Sequence, residues 1–161
     1  MHLKKIRLIS EAISDLELMT EDGKRIKLSE DLLYDDTCEL VPIETLIKLR
    51  EFDRRVQPKY NQDDSNSTID KLKRSFIKDG ILYPLKIDYY QYDKCVLLVE
   101  GNHRLNAAIE LGIKEYPCVV YRLKMSIPDN KRNVSYNVPG YQEDEYGYVP
   151  ANLKPSQIGL I

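Results

Sequence analysis

Gly101-Asn102-His103-Arg104 sits where an apolar run at residues 96–100 meets a helical pattern at residues 103–111, and it gathers a glycine, an imidazole and a guanidinium. The first turn of a helix has amide donors without intrahelical acceptors and the positive end of the peptide dipole, so phosphate or carboxylate binds readily there. Glycine lets an anion approach the backbone, and the forked guanidinium of Arg104 adds paired donors to a phosphate oxygen. The chain has only one other histidine, His2. The plainer reading of the same residues is a strand-to-helix turn with Asn102 as the capping residue and Arg104 on the surface.

Elements that position this turn are visible on both sides of it. Ser67 or Thr68 is expected to cap a helix over residues 68–78, with Ile69, Leu72, Phe76 and Ile77 at helical spacing and Gly80 ending it. Residues 81–84 turn into a strand at 85–90, the run at 96–100 forms a second buried strand, and Gly112 stops the helix of 103–111. Residues 116–121 read as a further buried strand. Upstream, alternation at 15–20 and 25–28 around Asp22-Gly23 predicts a β-hairpin, followed by a helical turn at 29–33, a short strand at 40–43 and a short helix within 43–52. The polar stretch 57–67 reads as an exposed loop. From Ser126 prolines and tyrosines recur without a period, which suits an ordered wrap or a partly disordered arm.

The whole chain narrows the classes of function. Its 161 residues suit one core, and a net charge of −2, spread evenly, argues against holding duplex DNA mainly by phosphate neutralisation. Cys38, Cys95 and Cys118 make an odd count without zinc-type spacing, so a reduced, cytoplasmic setting is expected, with Cys95 and Cys118 as small core residues. No apolar run is long enough to span a bilayer and the start lacks a signal-peptide core, so no membrane association is expected.

Taken in order, the helix, Gly80-Ile81-Leu82-Tyr83-Pro84-Leu85, the strand, Val99-Glu100-Gly101-Asn102-His103-Arg104-Leu105-Asn106-Ala107-Ala108, and Glu115-Tyr116-Pro117-Cys118-Val119-Val120 resemble the ParB/sulfiredoxin superfamily over residues 39–124. The resemblance implies an α+β fold: a small mixed β-sheet with packed helices, carrying an N-terminal hairpin extension (residues 1–38), a core (39–125) and a Pro- and Tyr-rich C-terminal tail (126–161). It also implies a nucleotide-phosphate site at Gly101, Asn102, His103 and Arg104, with Gly80, Ile81 and Pro84 beside the base and sugar. Ala107 and Ala108 match the small residues that bring this helix close to the sheet.

Within that superfamily the site is most similar to the free serine kinase branch. By that likeness Glu51 is the candidate base for an acceptor hydroxyl, with Asp53 as its rival, His103 assists catalysis and Glu100 holds Mg2+. Glu51 also belongs to the charged stretch 50–55, whose ordinary fate is a solvated face. Asn102 stands where sulfiredoxins carry their reactive cysteine, which removes that chemistry, and where the kinases usually carry a second histidine. The expected function is binding of a nucleoside di- or triphosphate (ATP, ADP or CTP), with Mg2+-dependent phosphotransferase or nucleotidase activity on a small hydroxyl acceptor. The alternatives are a non-catalytic regulatory protein of a mobile element, forming homo-oligomers or binding a protein partner through its tail, and a DNA-binding ParB-like protein or nuclease.

Overall fold

The computed structural model describes residues 17–50 and 63–161, with the side chains of 63–66 left aside. It is a mixed α+β structure built on a six-stranded sheet. The expected hairpin is present as β1 (Leu18–Met19) and β2 (Arg25–Ile26), which pair antiparallel as a separate two-stranded sheet with Leu18 opposite Ile26. A helical turn α1 (Glu30–Leu33), strand β3 (Glu39–Pro42) and helix α2 (Ile43–Lys48) follow. Then come α3 (Asp63–Asp79), β4 (Leu85–Tyr90), β5 (Cys95–Leu97), α4 (Asn102–Leu111) and β6 (Glu115–Leu123).

Strand β6 organises the sheet. Its first half pairs antiparallel with β3, placing Glu39 opposite Cys118, and its other edge pairs parallel with β4 from Leu85 opposite Cys118 to Tyr90 opposite Leu123. Strands β4 and β5 form an antiparallel hairpin with Tyr90 opposite Cys95. Because side chains alternate along a strand, Leu85, Ile87 and Tyr89 share one face with Tyr116, Cys118 and Val120. That face buries Leu46, Ile69, Phe76, Leu105 and Ala108 from the helical side. The Phe76 and Tyr116 rings meet at 6.0 Å, tilted by 54°. Ala107 and Ala108 are fully buried, as a helix lying close to the sheet requires.

Two element boundaries differ from the sequence expectation. Helix α3 begins at Asp63 instead of near Thr68, so residues 63–67 are helical and not loop. Polarity suggested a loop there, but no proline or glycine interrupts the chain between Pro58 and Gly80, and a nucleated helix propagates through polar residues at little cost. Strand β5 stops at Leu97 rather than running to Glu100, because Leu98 leaves the ladder and donates its N–H to Leu49 O at 2.7 Å.

The tail is an ordered wrap that completes the sheet and both apolar clusters. Strand β7 (Tyr136–Asn137) pairs with β5, and β8 (Asn152–Leu153) pairs with β6 beside Val120. Val138, Val149, Leu153, Ile158 and Leu160 belong to the main cluster, while Ile127 and Val134 cover Tyr90, Cys95 and Leu97 on the opposite face. Glu39 accepts hydrogen bonds from Ser156 N and Oγ, at 2.8 and 2.9 Å, fastening the tail to β3. Leu153 is fully buried, so Leu153→Ala should cost about 2–5 kcal/mol of unfolding free energy. Urea denaturation measures this, and a loss below about 1 kcal/mol would contradict a tail that shares the core.

Candidate functional site

The turn before α4 is shaped by Gly101. Its φ is +85°, a left-handed conformation, and a Cβ there would lie 2.4 Å from Leu85 Cδ2 and 3.2 Å from Arg104 Nη2. Only glycine meets both conditions without strain. Gly101 is also the N-cap, and the first intrahelical bond runs from Leu105 N to Gly101 O at 2.9 Å. The amides of Asn102, His103 and Arg104 therefore lie ahead of the helical ladder. Among the described residues no side-chain hydrogen bond caps this end, and the first turn carries no acidic residue.

Asn102 is not the cap that its residue type suggested. It is the first helical residue, 8% exposed, and its Nδ2 donates back to Val99 O at 3.0 Å. Its Oδ1 is buried and accepts no hydrogen bond among the described residues. His103 follows it, half-buried.

Arg104 folds across the turn toward the preceding loop. Its Nη1 donates to Pro84 O at 3.1 Å and to Tyr83 O at 3.4 Å. The same guanidinium lies beside the buried Tyr116 hydroxyl; burial pushes that hydroxyl above its ordinary range, and Arg104 opposes the shift. Tyr83, Pro84, Leu85, Gly101 and Arg104 thus converge on one place. Gly80 and Ile81 instead turn to the N-terminal segment: Ile81 N donates to Lys27 O at 2.8 Å, Ile81 O accepts from Ser29 N at 3.0 Å, and Ile81 is fully buried. Within the expected flanking loop, Tyr83 and Pro84 make the bonds to Arg104.

Glu100 precedes Gly101 in the chain. With Lys86, Asp88, Val99 and Tyr121 it lines a groove of about 250 Å3. By strand alternation Lys86 and Asp88 occupy the sheet face opposite Leu85 and Ile87, so this groove opens away from Arg104. Burial, and next the Glu100 charge, hold the Asp88 carboxyl above the usual carboxylate range. Among the described residues no group of three or more His, Cys, Asp or Glu gathers to hold a metal ion. Glu100 and Asp88 are the carboxylates that line this groove. Glu51, with Asp53, lies outside the described residues.

One contributor escaped the sequence reading. Arg50 belongs to a charged stretch whose ordinary fate is a solvated face, yet it is fully buried. Its Nη2 donates to Asn106 Oδ1 at 2.6 Å and to the Asn102 carbonyl at 3.2 Å. Asn106, one turn into α4 and 4% exposed, carried the only readable signal: a polar residue on a buried helical face. Burial holds the thiols protonated, including Cys118 opposite Leu85. Burial pushes Cys38 up to about 12, and burial, and next the Cys38 charge, raise Cys118 well above the ordinary thiol range. Both are poor nucleophiles at neutral pH.

Fold and site together define an α+β domain whose central helix presents an uncapped, arginine-flanked N-terminus. No protein-family model and no solved structure matches the chain. Over 56 residues it is 41% identical to an uncharacterized protein, ORF326b, of Acidianus two-tailed virus. The match covers 35% of this chain and spans 16% of that protein. No helix among the described residues is long and apolar enough to cross a membrane.

Two substitutions test this geometry. Gly101→Ala should destabilise the protein by about 1 kcal/mol or more, since alanine is strained at positive φ and meets Leu85; an unchanged melting temperature would contradict the turn. Asp88→Asn probes the groove. A carboxyl whose folded pKa is raised destabilises the fold once pH passes its unfolded value of about 3.9. The variant should therefore melt higher than wild type at pH 7 and lose that advantage at pH 3. A gain of equal size at both pH values would show that the Asp88 charge is not its source.

Proposed function

We propose that this chain is a nucleotide-binding domain of the ParB/sulfiredoxin type that holds the phosphates of a nucleoside di- or triphosphate at the Gly101 turn and acts as a phosphotransferase or nucleotidase. The single observation that carries this reading is the start of α4: a left-handed glycine, no side-chain cap, no first-turn acid, and Arg104 folded over the turn. Phosphoryl transfer asks chiefly for positioning and charge neutralisation. The α4 amides and Arg104 meet that need, with His103 as a further donor and Glu51 assigned to the acceptor hydroxyl. The test is calorimetry with ATP, ADP and CTP, each with and without magnesium. At least one should bind, and Arg104→Ala should weaken it about ten- to a hundredfold, the worth of a hydrogen bond to a charged group. Absence of heat with all three overturns the reading.

The likeness to a viral protein favours a second reading, a non-catalytic accessory protein of a mobile element. Phosphate release from the bound nucleotide separates the two: turnover abolished in Arg104→Ala supports the enzyme, and binding without turnover supports the accessory protein.

A further inference from the structure

The 49–50 segment grips the Gly101 turn from both sides. Leu98 N, ahead of the turn, donates to Leu49 O at 2.7 Å. Beyond the turn, Arg50 Nη2 reaches the Asn102 carbonyl at 3.2 Å and Asn106 Oδ1 at 2.6 Å. The guanidinium is fully buried, and taking a charge out of water is costly unless well-placed acceptors repay it. Surface packing would be served as well by leucine or methionine. A cation is an unusual choice here, because it lies at the positive end of α4, where the peptide dipole opposes it.

We propose that Arg50 is a positioning residue for the anion site, fixing the first turn of α4 so that the amides of Asn102, His103 and Arg104 converge, and adding its charge to the field that an anion meets there. This rests on the phosphate-binding reading above. Arg50 acts through α4, since its Nη2 bonds the Asn102 carbonyl and the Asn106 side chain. The two bonds set the pitch of the turn: one acceptor belongs to the first helical residue, the other to a side chain one turn later.

The experiment follows pyrophosphate binding and backbone amide resonances together in wild type, Arg50→Met, Arg50→Lys and Asn106→Ala, at a temperature where each is fully folded. Arg50→Met should displace the ligand-free resonances of residues 102–104 and weaken pyrophosphate about tenfold, as the amides lose their alignment and the site loses a buried positive charge. Arg50→Lys, keeping the charge and a donor, should recover part of that affinity, which a merely space-filling role would not produce. Asn106→Ala should shift the same resonances with a smaller affinity loss, and it carries the test if Arg50→Met does not fold. Wild-type resonances and wild-type affinity in folded Arg50→Met, or in Asn106→Ala when Arg50→Met does not fold, overturn the proposal. If wild type itself fails to bind pyrophosphate, the functional reading falls; the ligand-free resonances then still decide whether Arg50 sets the turn.

Discussion

Everything proposed for this protein depends on a contact that leaves no space for a side chain: the backbone of Gly101 against Leu85 of β4. The left-handed turn there lets the chain leave β5, pass four residues and enter α4 directly over the sheet. Because α4 then packs through Leu105, Ala107 and Ala108, its N-terminus cannot drift from the end of β4. Arg104 adds a second tie by bonding the carbonyls of Tyr83 and Pro84. The anion-attracting end of the helix is therefore part of the packed structure and not an appendage of it.

That arrangement concentrates positive character. The helix dipole, Arg104 above the turn and buried Arg50 beneath it act with the same sign. Carboxylates stand on the other side of the sheet, where Asp88 and Glu100 face each other across a groove and repel. The protein as a whole is mildly acidic, so the segregation is local. A charge sum cannot reveal it, and only the alternation of side chains across β4 separates the two signs.

How much of this was legible follows from how local each signal is. Strand β4 falls on residues 85–90 as read, because Pro84 precedes a clean alternation. Gly101 and Arg104 were legible for the same reason, since a strand-to-helix turn announces itself in a few residues. The plainer reading made Asn102 the cap because its residue type favours that role, whereas the turn geometry gives the cap to Gly101. For Glu100, sequence adjacency to Gly101 does not tell which groove the side chain lines. Arg50 was hidden altogether: its partners lie 52 and 56 residues away, and nothing in a charged hexapeptide says that one member is buried. The aperiodic tail gave no strand signal, since β7 and β8 are two residues each and exist only through pairing with β5 and β6.

The most direct test of the account is a crystal structure grown with a non-hydrolysable ATP analogue. It predicts phosphate oxygens within hydrogen-bonding distance, about 2.7–3.2 Å, of the amides of residues 102–104 and of the Arg104 guanidinium. A nucleotide bound with its phosphates in the Lys86, Asp88 and Glu100 groove, or anywhere away from the start of α4, would contradict it.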